Sequence, residues 1–275
     1  MYSSDNNNLH NVEISANQIL DLIESLGDDK LTAFFKQMDY PEEEKILYLY
    51  KQFHITPKYD KDGKLLPVSE TDQLAAVNKY GGVLQYITNP SEKVQIDAVK
   101  NHGHAIGYIT NPSEDVQLAA VNKSGTAIVY IKNPSEKVQL AVINKICYNI
   151  EYIKNPSEKV QLAAVNKGGD AIDYIIKKDI IPSEDVQLAA VNEDGLAIYY
   201  IIKKGIIPSE DVQLAAVNKN PNAIYHIING IIPSEDVQLA AVNKNGFVIY
   251  DIIEKGITPS EKVKQLAREK GIKDV

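Results

Sequence analysis

Few residues in this chain could do chemistry, and their spacing does not favour it. His102 and His104 flank Gly103 and would bring two imidazoles close together, but no third metal ligand is evident. Asp60-Lys61-Asp62-Gly63 resembles the start of a calcium loop. With Gly63 in the sixth position, the first and twelfth are Lys58 and Ser69. Both key carboxylates are then missing, and a polar turn is expected. Cys147 is the sole cysteine, which excludes an intrachain disulfide or a zinc ribbon. It reads as a packed thiol. No phosphate loop, dinucleotide fingerprint or nucleophile elbow occurs. The expectation is a non-catalytic chain with no cofactor and no metal.

What the sequence offers instead is side chains in register. Tyr199, Tyr225 and Tyr250 recur at one position of three successive repeats, and His226 and Asp251 follow the second and third of them. Tyrosine suits recognition, because it offers a large area and a polar tip with little entropy to lose. Asp185, Asp211 and Asp236 follow Glu184, Glu210 and Glu235 in consecutive repeats, where other repeats carry Lys93, Lys137 and Lys159. Such a row could meet a basic partner, though acids at helix starts are favourable in any case.

The elements that position these residues are set by repetition. The string Ser-Glu-x-Val-Gln-Leu-Ala-Ala-Val-Asn-Lys returns with its serines at 69, 91, 113, 135, 157, 183, 209, 234 and 260. The spacing is 22 for four steps and then 26, 26, 25 and 26, giving eight full repeats and a degenerate ninth. Each repeat starts a helix at Pro-Ser-Glu. Serine can cap it, or, in the 22-residue form, asparagine can cap with proline at the first helical position. Val116 to Asn122 then carries apolar groups around most of its circumference, so neighbours must sandwich it. Gly125 is expected to supply a left-handed stop. Ala127-Ile128-Val129-Tyr130-Ile131 forms a short second segment, with room only for a partly 3₁₀ helix. The 26-residue form lengthens that segment by about one turn, as in Ile201-Ile202-Lys203-Lys204. So small a repeat cannot bury its own apolar face, and stacking must do so.

The fold expected is therefore all-α, an α-solenoid of helix-turn-helix repeats with a small N-terminal helical cap. Residues 1–11 read as disordered and 12–56 as the cap, opened by Ser15 with Gln18 three residues on. A connector covers 57–66, short repeats 67–156, long repeats 157–259, and a polar C-terminal cap 260–275. Gln73, Gln95, Gln117, Gln139, Gln161, Gln187, Gln213 and Gln238 are expected to bond backbone, and the asparagine five residues on to cap the turn before the glycine. The fixed tyrosines Tyr86, Tyr108, Tyr130, Tyr152, Tyr174 and Tyr200 are expected to pack between helices. Residues flanking the glycine and preceding the fixed tyrosine vary, which implies exposure.

The unit Pro-Ser-Glu-x-Val-Gln-Leu-Ala-Ala-Val-Asn-Lys-x-Gly-x-Ala-Ile-x-Tyr-Ile resembles an uncharacterised "domain of unknown function" repeat of bacteria, bacteriophages and large DNA viruses. It is more distantly similar to HEAT and leucine-rich-variant repeats. The resemblance covers about residues 67–270 and implies a helical array, with no activity and no functional residues to carry over.

Composition limits the partners. Of 275 residues, 44 % are apolar and 24 % charged, as in a folded protein. The net charge is −8; residues 1–66 hold 7 Lys and 12 acids, so the array is close to neutral. A reader of nucleic acid needs a basic groove, which this array lacks. No apolar run reaches the roughly 18 residues of a membrane span, and the N-terminus lacks a secretory signal, so a cytoplasmic protein is expected. The functional expectation is a scaffold or adaptor that binds a protein through Tyr199, Tyr225, Tyr250 and His226. The alternative is a phage or viral inhibitor that blocks a host factor through Asp185, Asp211 and Asp236.

Overall fold

The computed structural model describes residue 61 and residues 66–275. The expected N-terminal cap, all of the connector but Lys61 and Leu66, and Asp60, Asp62 and Gly63 lie outside the described residues. Every regular element among the described residues is helical. Contacts divide the chain into two compact units, Met1–Ala119 and Ala120–Val275.

Serine decides where each long helix begins. In α1 (Glu70–Lys79) and α2 (Glu92–Asn101) the caps are Ser69 and Ser91, and in α3 (Glu114–Lys123) Ser113 accepts from the Val116 N–H. The same holds for α4 (Glu136–Lys145), α5 (Glu158–Val165), α7 (Glu184–Glu193), α9 (Glu210–Lys219), α11 (Glu235–Lys244) and α13 (Glu261–Glu269). The open choice between serine and asparagine caps thus resolves to serine throughout. Each cap serine is extended, with φ near −62° as in Ser91, and accepts from the backbone N–H three residues on.

The second segment differs with repeat length. In the short repeats it is 3₁₀: η1 (Gly81–Tyr86), η2 (Gly103–Tyr108), η3 (Gly125–Tyr130) and η4 (Cys147–Tyr152). In the long repeats it becomes α: α6 (Ala171–Ile176), α8 (Ile198–Lys203), α10 (Ala223–Ile228) and α12 (Val248–Glu254). The extra residues let the helix run on to bury Ile176 and Ile228.

Within the first unit α1 packs on α2 and η1 on η2. Within the second, α4, α5, α7, α9, α11 and α13 pack in sequence, while η3, η4, α6, α8, α10 and α12 form the other layer. The core lies between the layers. Val212, Ala216 and Val217 of α9 face Ile224 and Ile227 of α10 across it, and all five are fully buried. Burying one such isoleucine is worth about 1.5–3 kcal/mol. Leu214 and Ala215 on the outer side of α9 are only half-buried, so the sandwich is incomplete there.

Two expectations need correction. Gly125 has no left-handed φ; among the described glycines only Gly205, Gly256 and Gly271 do. The long helix ends on an extended residue, Ser124 at φ −141° in this repeat. The glycine is there for closeness. A Cβ on Gly195 would lie 2.6 Å from the Ala216 carbonyl oxygen of the following repeat, and one on Gly81 would strike the Ala98 carbonyl. The repeat asparagines do not end the helices as expected either. In most repeats the helix runs past them, and Asn78, Asn122, Asn144, Asn192, Asn218 and Asn243 stand exposed.

Candidate partner-binding surface

The two acids at the helix starts of Ser183, Ser209 and Ser234 do different things. The first acid belongs to the stack. Ser91 donates its hydroxyl to Glu70 at 2.6 Å, and Ser157 donates to Glu136 at 2.7 Å. Ser183, Ser209, Ser234 and Ser260 donate in the same way to Glu158, Glu184, Glu210 and Glu235 of the preceding repeat. Each of these serines therefore accepts from its own helix while donating to its neighbour, whereas Ser69 of the first repeat donates to Asp72 of its own helix. A charge-assisted bond to carboxylate suits this join.

The second acid is unused. Asp185, Asp211 and Asp236 are exposed, and among the described residues none has an ion-pair or hydrogen-bond partner. In the repeat just before them lysine stands here, and its charge is used internally: Lys159 pairs with Glu136 at 2.9 Å. That pairing, together with the Ser157 hydroxyl, holds the Glu136 carboxyl below the usual range. The lysines that close the second segments are also engaged. Lys177 pairs with Asp173, Lys204 with Asp179, Lys178 reaches the Glu151 carbonyl, and Lys203 lies 5.2 Å from the Tyr199 ring centre. The repeats that start at Ser183, Ser209 and Ser234 thus leave an unpaired acidic row at one rim.

The three tyrosines do occupy one equivalent position, on α8, α10 and α12, and are 37, 46 and 45 % exposed. They do not stack on each other. Each reaches forward to the next repeat. The Tyr199 ring lies 5.0 Å from the His226 ring. Tyr225 donates to the Asp251 carboxylate, which raises its pKa above the usual phenol value. The Tyr250 hydroxyl donates to the Lys273 carbonyl at 2.9 Å. So the residues that replace the fixed tyrosine, His226 and Asp251, are the ones the variable tyrosines touch. Burial pushes the His226 imidazole below its ordinary pKa.

These side chains border a shallow cleft of about 290 Å³ lined by Tyr199, Ile202, Lys203, His226, Asn229 and Gly230. The floor can come close because Gly230 has no side chain; a Cβ there would sit 2.6 Å from Ile202. The cleft is apolar at its base and offers an ammonium, an imidazole, a phenol and an amide at its edge. The tyrosines belong to the second-segment layer and Asp185, Asp211 and Asp236 to the starts of the long helices. The tyrosines and the aspartates thus lie on two surfaces, in line with their assignment to two separate readings of the sequence.

The fixed tyrosines are not uniformly packed. Tyr108, Tyr130 and Tyr152 stand 53, 53 and 42 % exposed, whereas Tyr174 and Tyr200 of the long repeats are half-buried. Tyr86 is half-buried although its segment is 3₁₀, so segment type alone does not set the exposure of this position. Among the glycine-flanking positions, Asp194, Asn220 and Asn245 accept from backbone N–H two residues on, a local turn role. Of the glycine-flanking positions, Tyr80, His102, Asn222 and Phe247 are exposed as expected, but Gly82 is buried and His104, Ser124, Thr126 and Leu196 are half-buried. His102 and His104 stand with ring centres 5.8 Å apart, and among the described residues no group of three metal-type ligands forms. Sequence reasoning passes over Ile181, Ile207 and Ile232, the most exposed large apolar residues described, at 76, 78 and 79 %. Their register before Pro182, Pro208 and Pro233 is the available signal.

No protein-family model matches the chain, and no curated protein or solved structure matches it either. Among the described residues no helix is long and apolar enough to cross a membrane.

Proposed function

We propose that the chain is a non-catalytic repeat scaffold that binds a protein partner through the second-segment surface of its long repeats. The observation that carries this is the cleft between Tyr199, Lys203, His226 and Asn229, continued by the exposed faces of Tyr225 and Tyr250. A shallow, aromatic, mixed-polarity surface fits a protein side chain or loop better than a deeply enclosed small molecule. The test is Tyr199→Ala, Tyr225→Ala and Tyr250→Ala together. Partner capture is lost at unchanged helix content; capture that persists undiminished contradicts the assignment.

A second reading is an inhibitor that blocks a host factor with its acidic edge. The unpaired row Asp185, Asp211 and Asp236 favours it. Reversing these three to Lys abolishes binding under this reading and leaves tyrosine-dependent capture intact under the first.

A further inference from the structure

Ile181, Ile207 and Ile232 occupy the same place in three consecutive long repeats, immediately before the proline that precedes the cap serine. A single exposed isoleucine is ordinary, but three in register on one rim are a patch. The turn itself does not call for them. Thr258 holds the same position before Pro259, whereas the asparagines before proline in the short repeats belong to a different turn, with Asn89 and Asn111 at φ +48° and +54°. Their neighbours Ile180, Ile206 and Ile231 already supply the half-buried side chain the turn packs on. Four residues beyond each exposed isoleucine stands one of the unpaired aspartates, Asp185, Asp211 or Asp236. Glu184, Glu210 and Glu235 between them are committed to the serines of the next repeats.

We propose that this rim docks a basic amphipathic helix of a partner protein, its apolar stripe on Ile181, Ile207 and Ile232 and its lysines or arginines on Asp185, Asp211 and Asp236. The inference rests on the protein-binding reading above and adds a surface and a partner chemistry to it. The periods agree. Packed helices lie about 8–10 Å apart, so the isoleucines recur at about that interval. One heptad of helix advances about 10.5 Å, so apolar residues a heptad apart meet successive repeats. The charge excludes an acidic helix by like-charge repulsion and gives a basic one a salt-sensitive attraction.

The test uses the full chain and a fluorescein-labelled synthetic peptide of about 21 residues, three heptads with a leucine stripe flanked by lysines. Anisotropy is expected to show saturable binding that weakens as salt is raised. The Ile181→Thr, Ile207→Thr, Ile232→Thr triple variant, which takes the residue natural at position 258, loses about tenfold or more in affinity. Its melting curve and helix content match the wild type. Asp185→Asn, Asp211→Asn, Asp236→Asn weakens binding and flattens the salt dependence. Absence of saturable binding, equal binding of a peptide with Lys replaced by Glu, or an unchanged affinity of the isoleucine variant overturns the proposal. Isoleucine-dependent dimerisation of the free chain in sedimentation overturns it in favour of a second copy as occupant. Peptide binding that fails while tyrosine-dependent capture persists removes this inference alone and leaves the proposed function standing.

Discussion

The short and long repeats share one long helix and differ in the second segment. In 67–156 that segment is 3₁₀ and its fixed tyrosine turns outward at Tyr108, Tyr130 and Tyr152. In 157–259 the segment is α and the fixed tyrosine, at Tyr174 and Tyr200, is half-buried. The helix starts change as well. Lys159 pairs with Glu136 where the two forms meet, and in the three repeats that start at Ser183, Ser209 and Ser234 unpaired aspartate takes the lysine's place, as Asp115 does once among the short repeats, before Lys262 restores lysine in the ninth. Three or four added residues thus turn a 3₁₀ segment into an α-helix that buries a further isoleucine at Ile176 and Ile228, and the rim beside them carries aspartate in three successive repeats. The join between helix starts, cap serine to preceding glutamate, is untouched. The stack is held by what is common to all repeats, and the surface is made by what changes between the two kinds.

The largest expected effect sits in the core of the long form. Ile201→Ala empties a fully buried site and should cost about 2–5 kcal/mol. Of its short-repeat counterparts, Ile87, Ile131 and Ile153 are buried too and Ile109 is half-buried, so Ile109→Ala should cost less than Ile201→Ala in urea melts. Equal losses would mean that exposure at this position does not set the cost. Next is the close approach of repeats. Gly195→Ala forces a Cβ against the Ala216 carbonyl and should cost about 1–3 kcal/mol. Gly205→Ala meets open space and is penalised only by its φ of +83°, so it should cost less.

The ladder comes third. Ser209→Ala removes a cap and the donor to Glu184 and should cost about 0.5–2 kcal/mol. Glu184→Gln keeps an acceptor and loses less, and Asp185→Asn, one residue on, gives up only a charge at the helix start, about 0.3–1 kcal/mol. A loss at Asp185 equal to that at Ser209 would erase the distinction between stack acids and free acids.

The smallest effect is a pH dependence confined to the long form. Burial holds the His226 pKa below its ordinary 6.5, so the imidazole is neutral in the fold. Its contribution is complete above that unfolded value and is lost as pH falls through the folded one. Wild type should therefore lose stability on acidification below 6.5 by more than His226→Tyr, which restores the residue found at this position in the first six repeats. Coincident pH profiles of the two would contradict the buried placement.

Much of this architecture is legible in residues. The spacing of nine serines predicts the stack, and the step from 22 to 26 predicts the longer second helix. The glutamines do bond backbone, each amide donating to the carbonyl five residues back, as Gln213 does to Pro208 at 3.0 Å. Other readings fail for one reason: they look within a repeat, while the answer lies between repeats. Taken alone, Gly125 suggests a local stop, yet a Cβ there would meet Asn149 of the next repeat. Glu184 suits the dipole of its own helix, yet it also accepts from Ser209. The tyrosines suggest a free column, yet Tyr225 bonds Asp251 one repeat on. The exposed isoleucines give little sign of themselves, because a β-branched residue before proline is ordinary in extended backbone. Only their solvent exposure singles them out.

The most direct test of the central claim, that the long repeats carry the recognition surface, is quantitative affinity capture with full-length chain. Wild type is compared with Tyr199/Tyr225/Tyr250→Ala and with Tyr108/Tyr130/Tyr152→Ala, all at matched melting temperature. The account predicts that a partner retained by wild type and by the short-repeat variant is lost from the long-repeat variant. Equal retention by all three, or loss from the short-repeat variant alone, would contradict it.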